Sequence, residues 1–276
     1  MTRAASSRLT DAGGAFNKAF IQPLRQLDDQ MAITWTMQAG AIARAEPHPF
    51  WWLGLPLAIA AALLVASQGF PAWHGRWVEG ELGALELGQL LVLVWAFWVA
   101  LRLVLSPGAA GRPWLRAWLA LAVLGCFYAA GEEASWGQHF FGWSTPEAWR
   151  ALNKQGETNL HNVSSWFNMK PRLLLELGVI FGGIGGPILT RARPSIRRHP
   201  AAVILPSMIC LPSALLAEST ALVEHLVKAA GHVPSDYLGF RASEVQELYF
   251  YVFVLLYLLA LRQRLQPPGA AGRSAW

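Results

Sequence analysis

Six stretches of this chain, near residues 51–68, 83–105, 114–131, 172–190, 200–222 and 245–262, are strongly apolar and meet or approach the roughly 20 residues that a helix needs to cross hydrocarbon. Inside a bilayer no water is present to satisfy backbone N–H and C=O groups, so repeated stretches of this kind fold as helices packed side by side. The predicted fold class is all-α, a polytopic membrane helix bundle with about six transmembrane helices. The composition agrees: 54% of the 276 residues are hydrophobic and only 14% are charged, too few charges for an ordinary water-facing domain.

Charge then orients the bundle, because Lys and Arg accumulate in cytoplasmic loops. Fifteen of the 22 Lys and Arg lie before the first stretch, in the connections between the second and third and between the fourth and fifth, after the sixth, or at the stretch ends that adjoin these segments. Both termini are therefore expected in the cytoplasm, with the chain in the inner membrane, and the net charge of +5 requires no nucleic acid. The acids behave oppositely. Apart from Asp11, Asp28, Asp29 and Glu46, all 17 Asp and Glu fall at the outer ends of the stretches or in the outer loops, an arrangement that charge bias alone does not demand.

The chain divides into a cytoplasmic segment 1–50, a transmembrane domain 51–262 that includes an outer loop 132–171, and a Pro- and Gly-rich tail 263–276 expected to be disordered. In the first segment Phe16, Phe20, Leu24, Leu27, Met31 and Trp35 recur every three or four residues, which predicts an amphipathic helix, bent at Pro23, on the membrane surface. A docking helix for a partner subunit would need the same stripe. Residues 1–30 hold no apolar run of the kind a signal peptide needs. Pro206 and Pro212 should kink the fifth helix and make it a cavity wall. Gly178, Gly182 and Gly186, with Gly183 and Gly185, offer a small-residue face for helix packing. Cys126 and Cys210 sit in apolar runs and read as buried hydrophobes.

The third stretch ends in Gly131-Glu132-Glu133-Ala134-Ser135-Trp136-Gly137-Gln138-His139. Carboxylates at the end of an apolar helix are costly to desolvate and call for a proton, a cation or a metal. On a continuing helix Glu132 and His139, seven residues apart, would share a face. In the loop beyond, Thr145-Pro146-Glu147 reads as a helix start capped by Thr145. Glu157 and His161 are spaced i, i+4, which on a helix suits a metal or an acid/base pair, or else a solvated contact. Glu79 and Glu86, and likewise Glu218 and His225, repeat the seven-residue relation. Glu224 and Lys228 form an ordinary surface pair. Ser243 reads as the cap of the sixth helix, with Gln246 in the capping-box position and Glu247 one turn above Tyr251.

Together these residues predict a polar pocket walled by helices two, three, five and six and covered by the loop, with Glu86, Trp136, Gln138, Asn159, Glu218, Glu247 and Tyr251 at its wall. Trp136, Trp143, Trp149 and Trp166 either seal it or simply prefer the interface. Glu132, Glu133 and His161 are the candidate catalytic groups; Glu157, His161, His139 and His225 are the candidate ligands of a divalent metal such as zinc.

Residues 131–138 and 155–162 resemble the signature of a family of uncharacterised multipass bacterial membrane proteins, with His139 standing where that pattern has Arg. The double Glu followed by later His residues bears a weaker similarity to the CAAX-processing glutamate-dependent membrane proteases, in which one Glu activates water; Gly137 occupies the position of their Arg. The first resemblance implies a bacterial inner membrane and no assigned activity. The residues themselves point to an enzyme acting at the outer leaflet on a lipid-linked or apolar substrate, a hydrolase being one form it can take. The alternatives are a cation- or proton-coupled transporter and an assembly protein that binds partners through the N-terminal helix and the outer loop.

Overall fold

The computed structural model describes residues 48–80, 82–153, 156–160, 163 and 165–266, together with the single position 22; the side chains at 165–169, 197 and 198 are outside that description. The expected amphipathic helix and residues 267–276 of the expected tail lie outside the described residues, as do Glu81 and His161. Every regular element among the described residues is helical. Six helices are long and apolar enough to cross a membrane: Phe50–Gly69 (α1), Ala84–Val104 (α2), Pro113–Glu133 (α3), Lys170–Ala192 (α4), Pro200–Ala229 (α5) and Ala242–Leu265 (α6). They fall where the apolar stretches are, and α6 continues three residues past the expected boundary at 262.

The last helix is the axis of the bundle. In its most apolar window 78% of residues are buried, against 11–33% in the other five. Four consecutive residues, Leu248, Tyr249, Phe250 and Tyr251, are all buried, so every side of the helix meets protein, as a helix apolar all round requires. It packs against α2 and α5 and is joined to α3 by a hydrogen bond of 2.7 Å from the Trp118 indole N–H to the Tyr257 hydroxyl. The outer helices instead expose Leu91, Trp95, Leu124 and Phe181, apolar surface on a scale that marks contact with lipid.

Helix α1 opens with a π-helical stretch, Phe50–Gly54, and two other helices are interrupted along their length. In α5 a 3-10 turn, Pro200–Ile204, gives way to extended backbone at Leu205 (ψ 133) and Ser207 (ψ 173) on either side of Pro206. Regular helix resumes only at Leu211. Pro206 therefore breaks the helix outright, while Pro212, expected as a second kink, sits in the first turn of Leu211–Ala229, where a missing N–H costs nothing. The carbonyls left by the break are answered from α6: Arg264 Nη1 donates to Val203 O at 2.8 Å and to Leu205 O at 2.5 Å. In α4 a π-helical stretch, Val179–Gly185, interrupts the ladder. Within it a Cβ at Gly183 would lie 2.6 Å from Phe253 and 2.9 Å from Ala214. The small-residue face thus does bring α4 close to α5 and α6, though only part of it is used: a Cβ at Gly178 would meet nothing within 4 Å.

That difference gives a paired test. Gly183→Ala should lower the melting temperature of the detergent-solubilised protein, with an overpacking cost of about 1–3 kcal/mol. Gly178→Ala, which meets no neighbour, should leave it unchanged or raise it slightly, by up to about 1 kcal/mol of helix propensity.

Candidate active site

The site is organised by the way α3 ends. Its helix stops at Glu133, and the next residues turn left-handed: Ser135 has φ 42, Trp136 φ 56 and Gly137 φ 101. The continuous helix that would have stacked Glu132 on His139 is therefore absent. For Ser and Trp this conformation costs roughly 1–2 kcal/mol per residue, so something must hold it. The Trp136 ring lies against Gly131, where a Cβ would sit 2.8 Å from ring carbons, and its indole N–H donates to Glu132 Oε1 at 2.8 Å. The buried Ser135 hydroxyl donates to Glu157 Oε2 at 2.9 Å and lies 3.0 Å from both His139 Nε2 and Asn159 Nδ2.

Asn153 and residues 156–160 close onto this turn. Leu160 N–H donates to Glu132 Oε2 at 2.8 Å, and Thr158 N–H donates to Gln138 Oε1 at 2.7 Å. The Gln138 amide in turn donates to Thr145 Oγ1 at 2.9 Å. Asn159 Nδ2 donates to Glu157 Oε2 at 2.6 Å, and Asn153 Nδ2 donates to Asn159 Oδ1 at 2.8 Å. The two stretches singled out in the sequence are thus one hydrogen-bonded unit. Residues 156–160 are irregular, with Gly156 at φ 72, and His161, the expected partner of Glu157, lies outside the described residues. Thr145 caps nothing; Pro146 precedes the helix Glu147–Arg150, and Thr145 joins the loop network instead.

Beside this unit lies a cavity of about 1120 Å³, with walls from α2, α3, α4, α5 and α6. Helix α4 is a wall the sequence reading had omitted, and α5 contributes only the stretch Ile204–Pro206 at its break. At the acid-bearing end, Glu133 Oε1 accepts a hydrogen bond of 2.7 Å from the Tyr251 hydroxyl; the expected Glu247–Tyr251 contact is replaced by this one across helices. Glu247 instead meets Arg172 at 3.1 Å, and Arg172 also donates to Gln246 Oε1. Arg241 gathers three acids: its backbone N–H donates to Glu79 Oε1 at 2.5 Å, and its guanidinium lies 3.7 Å from Glu86 and 3.3 Å from Glu244. Glu79 precedes a turn and α2 begins only at Ala84, so Glu79 and Glu86 meet through Arg241 and not through a shared helix face. Ser243 is not a cap either, since α6 begins at Ala242 with no side-chain cap.

Away from this end the wall is apolar, with Leu121, Leu175, Phe253 and Val254, and it reaches Trp118 and Tyr257. Of the residues expected at the site, Glu86, Glu132, Glu133, His139, Glu157, Asn159, Glu247 and Tyr251 line the cavity. Trp136 and Gln138 are off the wall and hold the turn and loop behind it. Trp143 stacks on Phe141 with centroids 5.8 Å apart, and neither it nor Trp149 is on the wall. Glu218 lies elsewhere on α5, one carboxyl oxygen buried without a hydrogen-bond partner, and His225 is exposed. Glu224 and Lys228 form the expected pair at 2.6 Å. Of the proposed metal ligands, His139 and Glu157 approach to 3.7 Å; among the described residues no group of three or more His, Cys, Asp or Glu side chains could hold a metal ion.

Arg172 and Arg241 were not among the residues expected at the site, and Ser135 stood in the motif without a role. A signal for the arginines existed: both lie at the acid-rich ends of the spans, against the charge bias that places most of their kind at the other side. No family model matches the chain, and neither does any curated protein or solved structure.

The geometry separates the two adjacent carboxylates. Glu132→Gln would set an amide N–H against an N–H donor, so it should loosen the turn and loop, read as faster hydrogen exchange at 135–160 and a stability loss of about 1–3 kcal/mol. Glu133→Gln should leave exchange in that segment as it is.

Proposed function

We propose that this membrane protein is an enzyme that takes an amphiphilic, lipid-like substrate, with its polar head at the acid-bearing end of the cavity and Glu133 as general base. The observation that carries this reading is the single cavity of about 1120 Å³ with carboxylates and arginines at one end and apolar wall over the rest. Its volume lies just above the 300–1,000 Å³ usual for small-molecule sites, and its two-part chemistry is that of a lipid. The charge bias of the loops supports an opening toward the non-cytoplasmic leaflet.

Within that site Glu133 holds the role its geometry suits. The Tyr251 hydroxyl fixes one carboxyl oxygen at 2.7 Å on the cavity wall, so the group is oriented to take a proton from a water or a substrate hydroxyl. In a hydrolysis, the water oxygen would bond to the acyl or phosphoryl centre as Glu133 receives its proton, and the leaving oxygen would carry one away. Arg172, braced by Glu247 and Gln246, supplies a fixed cation at the same end for an anionic headgroup or for charge developing on the reacting group. Glu132 and Glu157 are not assigned chemistry in this reading, since their oxygens accept bonds that build the turn and loop.

The test is turnover of a total bacterial lipid extract by protein reconstituted in vesicles, followed by mass spectrometry. Wild type should consume one lipid class. Glu133→Gln should lower the rate by about 10²–10⁴, the usual contribution of a general base, with an unchanged melting temperature. Tyr251→Phe should lower it less. Absence of any consumed class in the wild type would sink the reading, as would a fully active Glu133→Gln protein.

A further inference from the structure

We propose that the apolar part of the cavity measures the length of a substrate's hydrocarbon chain, and that Gly125 of α3 and Gly178 of α4 keep the passage wide enough for that chain. This rests on the reading of the cavity as a lipid site. Wall residues run from Glu133 down to Trp118 on α3 and from Ser243 down to Leu258 on α6. Fifteen residues of helix at 1.5 Å each make that roughly 22 Å. The wall from Ala129 to Trp118 is roughly 16 Å of that by the same rise. That is close to the depth of one leaflet, about half of a 30 Å hydrocarbon core. A chain entering from the head end would thus find about a leaflet's depth of apolar wall, ending where the Trp118 indole donates to the Tyr257 hydroxyl at 2.7 Å.

Gly125 and Gly178 are both on this wall, and a Cβ added at either would meet nothing within 4 Å. A glycine inside a membrane helix ordinarily lets a neighbouring helix approach, as Gly183 does here. Gly125 and Gly178 have no such neighbour, although glycine is a poor helix former. The space that their missing side chains leave is the cavity itself. Gly178 lies six residues below Arg172 and Gly125 eight below Glu133, which places both at roughly 9–12 Å from the polar end. A larger side chain there would stop a long chain partway and leave a short one untouched.

The probe is a series of lysophosphatidylglycerols with saturated chains from hexanoyl to stearoyl, bound to the purified full-length protein in detergent and measured by native mass spectrometry. Wild-type affinity should rise with chain length. Gly125→Leu and Gly178→Leu should lose roughly tenfold or more for the stearoyl member, the equivalent of about two buried methylenes, and should hold the hexanoyl member as wild type does. Gly125→Ala and Gly178→Ala, milder changes for the case in which a leucine variant does not fold, should show the same trend at smaller size. Gly88→Leu is the control, because a Cβ there also meets nothing within 4 Å but Gly88 is off the cavity wall. It should match wild type. A chain-length profile that is flat in the wild type, or identical in the wild type and the wall variants, overturns the proposal. Chain-length-dependent binding without any lipid turnover would leave the gauge standing and sink the catalytic reading; turnover sensitive to Glu133→Gln with identical profiles would do the reverse.

Discussion

A carboxylate at the end of a membrane helix must be satisfied, and the way Glu132 is satisfied shapes everything around it. Both of its oxygens accept N–H donors, one from the Trp136 indole and one from the backbone of Leu160. The first contact curls the chain back on α3 and sustains left-handed backbone at Ser135 and Trp136; the second draws in Asn153 and residues 156–160. Each then supports the other, since Ser135 is positioned by the turn and receives Glu157 and Asn159 from the loop. A low-dielectric setting makes such a network strong when complete and costly when broken. Its product is a firm wall at one end of the cavity, against which Glu133, about 100° further round the helix, faces Tyr251.

The central helix performs a second kind of bracing. Buried on every side, α6 carries polar groups chiefly toward its ends, and each end has an arginine that answers a local deficit. Arg241 collects the acids Glu79, Glu86 and Glu244 at one end. Arg264 meets the carbonyls freed by the break at Pro206. The break in α5 and the opening of the cavity are connected through this second contact, because Ile204, Leu205 and Pro206 are themselves wall residues. A regular helix in their place would present a different surface to the interior.

The spans were legible in the sequence because hydrocarbon thickness sets a length and a composition that few other structures need. The gathering of acids at one end was legible for a related reason: charged groups are confined to the ends of such helices, and simple counting shows which end. What could not be read was pairing between distant elements. Tyr251 looked like a neighbour of Glu247 because the two are one turn apart, but the bond goes to Glu133, 118 positions away. Arguments from spacing also assumed that helices continue. The turn at 135–137 defeats the Glu132–His139 relation, and Glu157 sits in the irregular segment 156–160. The motif residues were nevertheless the right ones to notice: Gly131 makes room for the Trp136 ring, Gly137 takes a φ of 101, and Gln138 binds Thr158.

The adjacency of Glu132 and Glu133 has an evolutionary consequence. One carboxylate builds and its neighbour faces the cavity, and they differ only by one step of helical rotation. Replacing a lipid-facing residue of α3 changes neither assignment. Inserting a single residue between the middle of α3 and Gly131 would carry the builder to its neighbour's place and that neighbour out of both roles, and deleting one would carry the neighbour to the builder's place. Lineages descended from this protein should therefore accumulate substitutions along α3 freely on its outer side while keeping its length constant.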